Sequence, residues 1–361
     1  MAISPTDVAA VISPVVEPDP EVRARPANAS RTKSALWLLP VLPWLWYLVR
    51  SLFAAMDLVA VALPIIIIVA GILAVGIAIS RRSLPFLALT GSLALFFVVS
   101  VLLPFRSTDG APPIDSIRVG TVNAGLNFFS DNDLGFLVFE QVPDLIVGVE
   151  LSESHDTELR SRFTNAASDI LPLERQQQNE QQLQPEGDNF RRNGLPSIGV
   201  YTNLPIVQLE DPIADEIDGG LPGFRLQVST DSGDVILYAL HMPRPLGRGG
   251  VFEVPAGEHL AIANAIAQAV EAETLPTIVL GDLNAVDRGQ AYRAFTGVLE
   301  DGIRHAGAAG PTTDRPLPES LLFARVDHLL MSPGLCTANA VSIDTRFSDH
   351  HPLLADIGPC A

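Results

Sequence analysis

The sequence predicts an α/β domain built from two packed β-sheets with helices on their outer faces, carried behind a set of membrane-spanning helices. Two observations predict this. After residue 116, short apolar runs of strand type recur along the chain with few helical patterns between them, which is how paired sheets read in sequence. Before it, the stretch from Ala35 to Pro104 holds no charged residue except Arg50, Asp57, Arg81 and Arg82.

Taken in order, residues 1–34 mix prolines, alanines and charges without apolar periodicity and read as a disordered cytoplasmic tail. Residues 35–104 form a membrane region of about three helices. The runs LVAVALPIIIIVAGILAVGIAI and LPFLALTGSLALFFVVSVLL are each long enough to cross a bilayer, which takes about 20 residues. An earlier run, ALWLLPVLPWLWYLVRSLFAA, holds three tryptophans and Tyr47, rings favoured at headgroup depth. Pro40 and Pro43 leave open the alternative that it is an interfacial or re-entrant segment. Basic residues collect on the cytoplasmic flank, and Arg23, Arg25, Arg31 and Lys33 precede the first run while Arg81 and Arg82 separate the second from the third. Three spans put both clusters inside and everything after Arg106 outside, whereas two spans put the paired arginines on the wrong side. A cleavable signal peptide does not fit, because the apolar region starts late and far exceeds an h-region.

Residues 105–115, FRSTDGAPPID, read as an extended linker to a domain spanning 116–361. Its strand-type runs are SIRVGTV, DLIVGVEL, SIGVYT, GFRLQVS, DVILYALH, TIVLGDL, RVDHLLMS, ANAVSI and PLLADIG. The clearest helix is AGEHLAIANAIAQAVEAET, where Leu260, Ile262, Ile266 and Val270 share a face. A Gln-rich insertion, Glu174–Gly194, reads as a loop, as does the Gly/Pro-rich Met242–Gly257.

Eight basic and six acidic residues precede Ala111, leaving 15 basic and 35 acidic residues, a net of -20. Such a domain repels polyanions unless a metal or a local basic patch intervenes, which argues against a general nucleic-acid binder. Cys336 and Cys360 are the two cysteines. An antiparallel pairing of ANAVSI with PLLADI that sets 343 opposite 353 also sets 336 opposite 360, so the thiols either bridge, as suits an oxidising compartment, or stay free.

Polar residues stand at the ends of many runs: Asn123, Glu150, His241, Asp282 with Asn284, Asp327, and Asp349 with His350 in the last loop. Each alone has an ordinary reading as a turn former or solvated surface residue. Their recurrence at strand ends points instead to a shared rim. Hard oxygen donors of this kind suit Mg²⁺ or Mn²⁺, and two cysteines are too few for a Cys-based zinc site. A serine hydrolase is disfavoured because no G-x-S-x-G elbow occurs.

With GDLNA at 281–285 and SDHHP at 348–352 as its strongest marks, the chain resembles the endonuclease/exonuclease/phosphatase superfamily of DNase I-like nucleases, abasic-site endonucleases, neutral sphingomyelinases and inositol-phosphate phosphatases. TVNAG, PDLIVGVEL, YALHMP and RVDHLLMS follow in the family's order, covering about residues 116–358. The anchored architecture is similar to a bacterial subgroup with several N-terminal spans.

The resemblance implies a four-layered α/β sandwich with its site at one rim. It implies Glu150 as the main metal carboxylate, with Asn123 and Asp349 near the same ion. Asp282 then orients and deprotonates the attacking water, Asn284 holds a phosphate oxygen, His350 donates to the phosphate, Asp327 fixes its ring, and His241 is a second donor. Family members carry a serine-arginine pair where Thr202 and Asn203 stand here. His351 points away and is left out of the site, His155, His259, His305 and His328 are read as packing or surface residues, and Arg191, Arg192, Arg244 and Arg248 as candidate rim cations. The expected activity is membrane-anchored, metal-dependent phosphoester hydrolysis. A lipid headgroup or small phosphoester fits the anchor and the acidity, and nucleic acid fits the family's commonest activity; no protein partner is expected. The competing class is a catalytically silent binding or sensor domain on the same fold.

Overall fold

The computed structural model describes residues 42–81, 84–103, 113–125, 140–170, 197–247, 252–306, 324–343 and 348–361. The tail 1–34, most of the linker 105–115, the insertion Glu174–Gly194, and Arg191, Arg192 and Arg248 lie outside them.

Three helices come first: α1 (Leu42–Val49), α2 (Met56–Arg81) and α3 (Leu84–Phe97), which continues through a π-type turn at Val98–Leu102. Among the described residues one helix is long and apolar enough to cross a bilayer, Met56–Ser80, with a mean hydropathy of 3.1; Leu87–Leu102 is a shorter apolar helix. The first expected span is described only from Leu42, where it is an eight-residue helix followed by turns. Small residues let α2 approach its neighbours: Ala60, Ala70 and Ala74 are buried with Leu63, Ile67, Leu93, Phe96 and Trp46. Its outer face and that of α3 leave Ile72, Ile79, Leu84 and Leu87 between 62% and 79% exposed.

The remaining chain forms β1 (Ile117–Asn123), β2 (Leu145–Val149), α4 (Glu153–Arg162), β3 (Asn165–Asp169), β4 (Ile198–Thr202), β5 (Ile206–Gln208), β6 (Gly223–Thr230), β7 (Gly233–His241), α5 (Ala256–Glu271), β8 (Thr277–Asp282), α6 (Gln290–Thr296), β9 (Glu300–Asp301), α7 (Gly302–His305), β10 (Asp327–Met331), β11 (Leu335–Ser342) and β12 (Leu353–Pro359). They assemble into two six-stranded sheets, ordered β11-β12-β1-β2-β4-β3 and β5-β6-β7-β8-β10-β9. Within each, one central pair is parallel, β1 with β2 and β7 with β8.

The two-residue period of a strand sorts its side chains between layers. On β7, Val235, Leu237 and Ala239 enter the core between the sheets, while Ile236, Tyr238 and Leu240 turn outward against α5 and α6. On β2, Leu145, Val147 and Val149 face the other sheet and Ile146 packs under α4 with Leu159 and Phe163. Each fully buried Val, Leu or Ile among them contributes about 1.5–3 kcal/mol. The result is helix, sheet, sheet, helix, the four layers expected.

Two details differ from expectation. β11 pairs with β12 so that Ser342 faces Leu353 and Cys336 faces Gly358, with a bulge between Ala338 and Val341. The pairing begins one residue off the expected one, and the single extra residue of the bulge, where Asn339 has a φ of 50°, adds a second step, so Cys336 falls opposite Gly358 and not Cys360. The disulfide nonetheless joins Cys336 and Cys360, their Cα atoms 4.9 Å apart. Asp327 opens β10 rather than closing a strand, because β10 runs antiparallel to β8 and its first residue falls beside β8's last.

Candidate active site

The same alternation that fills the core builds the mouth above it. His241 on β7 is paired with Asp282 on β8, and Asp282 with Asp327 on β10, so three predicted residues share one rung. Partners in a rung project to one face. Counting back by twos reaches Ala239, Leu280 and Leu329, all in the inter-sheet core, so the rung opens into the gap between the sheets. Asn123 occupies the matching place on β1, two and four residues beyond Thr121 and the core residue Val119. Gly281 permits this geometry: a Cβ there would stand 1.9 Å from the Leu240 carbonyl oxygen.

Asn123 ties the two sheets together. Its Nδ2 donates to Asp282 Oδ2 at 3.1 Å and to Glu150 Oε1 at 3.4 Å, while its Oδ1 accepts from the Gly125 N–H at 3.0 Å. Glu150 follows the last residue of β2 in the left-handed region, φ 52°, which costs about 1–2 kcal/mol for an L-residue and turns the carboxylate into the mouth. Arg244 donates to Glu150 Oε1 at 3.2 Å. His241 Nε2 lies 3.8 Å from Glu150 Oε1 and 3.9 Å from Asp282 Oδ2, and the ring rests on Phe252 with centroids 4.3 Å apart. Among the described residues neither nitrogen of His241 has a hydrogen-bond partner. Burial first, then the Arg244 and His350 charges, hold its pKa well below the usual histidine value, so the ring is neutral.

The last loop delivers His350. Ser348 Oγ donates to the Asn123 carbonyl at 2.8 Å and accepts the His350 N–H at 3.0 Å, and His350 Nδ1 bonds Asp327 Oδ2 at 2.8 Å. Burial alone would strip the charge from this imidazole; Asp327 outweighs it, aided by Asp282 and Asp349, and carries the pKa up to about 10. Asp282 is pushed the other way for a carboxylate, up to about 7, by burial and then by the Asp327 charge. Ligand atoms of Asp282, Asp327 and His350 lie within 4.8 Å of one another. Asp349, half-buried, sits between Ser348 and His350 and so at the same mouth.

Asn284 belongs to the loop after β8. Its φ is 46°, its N–H donates to Asp282 Oδ1 at 2.8 Å, and its Nδ2 donates to the Met242 carbonyl at 2.7 Å. Two histidines read as packing residues pin this loop. His259 Nε2 bonds the Leu283 carbonyl at 3.1 Å and His328 Nε2 the Ala285 carbonyl at 2.8 Å; carbonyls only accept, so both rings carry the proton on Nε2. Arg325, fully buried, donates to Asp287 Oδ1 at 3.0 Å and to Asp301. His351 Nδ1 bonds the Ile343 carbonyl at 3.2 Å, and His155 closes the capping box of α4 with Ser152. Thr202 and Asn203 stand at the opposite rim, since Thr202 pairs with Leu145 at the start of β2, so they do not touch the site. Of the candidate cations described, Arg244 reaches it.

An acidic, partly buried mouth between paired sheets, with a charged histidine held by an aspartate, can bind and polarise a phosphate-like group. The sequence matches the Endonuclease/Exonuclease/phosphatase family over residues 138–350, and the chain belongs to that family. Solved structures similar to it include an endonuclease/exonuclease/phosphatase from Beutenbergia cavernae, 17% identical with a TM-score of 0.43 over 68% of this chain and 72% of that one. An AP endonuclease from Archaeoglobus fulgidus is 13% identical, TM-score 0.47, over 66% of this chain and 98% of that one. The human Nocturnin catalytic domain with bound sulfate is 16% identical, TM-score 0.45, over 71% and 98%. No curated protein matches the sequence.

Proposed function

We propose that the chain is a membrane-anchored hydrolase of phosphoester bonds that depends on a divalent metal and uses an activated water. The observation that carries this is the Asp327–His350 pair at 2.8 Å, set within 4.8 Å of Asp282 at a mouth that Asn123 and Glu150 complete. In this reading Asp282 orients the attacking water and takes its proton. His350, charged, donates to the scissile phosphate while Asp327 fixes its ring. His241, neutral and with no competing partner, donates from the other side, and Asn284 holds a phosphate oxygen with the amide hydrogen that Met242 does not take.

The residues present fit a hard cation. Two carboxylates, Glu150 and Asp282, converge on a single amide nitrogen at 3.4 and 3.1 Å, a set of hard oxygen donors with Arg244 beside Glu150 and His350 beside Asp282. Glu150, Asp349 and, with its amide turned, Asn123 would hold Mg²⁺ or Mn²⁺. Bound there, the ion would neutralise charge on the phosphoryl oxygens. The helix Met56–Ser80, with apolar side chains turned outward along it, supports a bilayer anchor, and the Cys336–Cys360 bond supports a domain on the extracytoplasmic side, behind three spans. A lipid headgroup or other small phosphoester suits an acidic domain held at a membrane better than a polyanion does.

The test offers full-length protein in detergent plasmid DNA, bis-p-nitrophenyl phosphate and phospholipid vesicles, each with Mg²⁺ or EDTA. Magnesium-dependent turnover of the small diester or the phospholipid is expected. Cleavage of DNA alone would remove the headgroup assignment, turnover undiminished by EDTA would remove the metal, and no turnover of any substrate would leave the silent binding domain. A C-terminal reporter active only in the cytoplasm would reverse the topology.

A further inference from the structure

Proline inside a helix leaves a carbonyl without its donor, because residue i has no N–H to give to i−4. In α2 that proline is Pro64 and the carbonyl is that of Ala60. Ala60 is fully buried, so the oxygen needs a partner within the protein. Arg288 supplies it: Nε donates to Ala60 O at 2.5 Å and Nη2 to Val61 O at 3.3 Å, from a side chain 5% exposed. One turn earlier, Asp57 accepts the Gln290 and Ala291 N–H groups at 2.7 and 3.1 Å. Gln290 Nε2 in turn donates to the Phe53 carbonyl at 2.9 Å. Val286 and Ala324 complete the contact by packing into the same apolar cluster as Ala60, Leu63 and Trp46.

All of these partners flank the candidate site. Val286 and Arg288 lie on the loop that leaves Asp282 and carries Asn284, Gln290 and Ala291 open α6 at its end, and Ala324 lies three residues before Asp327. The loop is therefore held from two sides, by His259, His328 and Arg325 within the sandwich and by the first turns of α2 from outside it. Gly289 marks how close the approach is, since a Cβ there would be 3.3 Å from Asp57 Oδ2.

We infer that the apolar helix is more than a tether: Arg288, seated on the carbonyl that Pro64 frees, and Asp57 are positioning residues that fix the loop Leu283–Gly289 and through it Asn284 and Asp282. The catalytic geometry then depends on the anchor. This rests on the phosphoesterase reading only for its kinetic arm.

The test uses full-length protein in detergent with Mg²⁺ and bis-p-nitrophenyl phosphate, alongside amide hydrogen exchange of the segment 283–291. Arg288→Met is expected to speed exchange there, lower the melting temperature and cut kcat about 10-fold or more at an unchanged KM, the scale of a small misplacement. Adding Pro64→Ala gives the Ala60 carbonyl a helical donor, so the double variant should regain melting temperature while kcat stays low. Recovery of kcat together with stability, kcat of Arg288→Met within twofold of the parent, or unchanged exchange would each overturn the inference. If Arg288→Met does not fold, Asp57→Asn carries the same three readouts. A parent protein that turns over no phosphoester removes the functional reading, and the exchange arm then decides the positioning role alone.

Discussion

The two sheets contribute unequal halves of the mouth. The half from β7, β8 and β10 is dry: His241, Asp282 and Asp327 are each 1% exposed, and their positions follow from strand register. The half from β1 and β2 is also buried, Asn123 at 1% and Glu150 at 9%, but it is set less tightly: Glu150 leaves β2 through its own left-handed backbone and pairs with Arg244, a side chain 46% exposed. Burial sets protonation states in the first half, raising Asp282 and lowering His241, while Asp327 outweighs burial at His350 and raises it. The mouth meets solvent at the Arg244 side chain beside Glu150, which is where an ion would exchange with water. In the proposed mechanism the difference divides the labour: proton handling at the β7–β8–β10 rung, which His350 reaches from the loop before β12, and cation holding around Glu150.

Substitution should break the two halves differently. Asp282→Asn or His350→Ala removes an acid–base or charged group from the dry half, and each is expected to reduce kcat more than about 100-fold at any Mg²⁺ concentration. Activity within tenfold of the parent in either would overturn its role. Glu150→Gln acts on the other half and should yield to added metal. Its Mg²⁺ half-saturation should rise at least about 10-fold, with kcat recovering as the ion is raised, because even partners around a ligand are worth that much. An unchanged half-saturation measured by activity titration, or a loss that no magnesium repairs, would erase the division.

The dry half was also the more legible in sequence. Strands buried on both faces, such as VILYALH and TIVLG, announce themselves by composition, and the polar residue ending each one marks the rim. β3, with the sequence NAASD, carries no such signal because it is an edge strand only partly buried, and α4 is nearly all polar. The bulge that shifts β11 left no trace beyond Asn339. The pins on the Asp282 loop were invisible for a different reason: His259, His328 and Arg288 bond backbone carbonyls, which have no residue identity to match in sequence. Only Pro64 hinted at an orphaned acceptor, and nothing in the chain says which donor finds it.

Those pins make the smallest prediction, on stability and pH. Burial lowers the His259 pKa from 6.5, against the bond to Leu283 and the Asp57 charge, which raise it. The folded state thus holds this ring neutral at a pH where the unfolded chain has begun to protonate it. Stability rises with pH wherever the unfolded state binds more protons, so the contribution is complete above about 6.5 and is lost as pH falls below it, at up to about 1.4 kcal/mol per pH unit until the folded ring also titrates. Asp282 and His350 have raised values and act with the opposite sign, losing stability as pH rises, so the whole protein's pH profile mixes both. His259→Gln isolates one component, since the amide can donate to Leu283 in place of Nε2 without titrating. Measured in detergent, the melting-temperature difference between parent and variant should shift in the variant's favour as pH drops from about 7.5 to 5. A difference independent of pH would mean that the ring titrates in the folded protein as it does in the unfolded chain, and that the loop beside Asp282 is wetter than its burial implies.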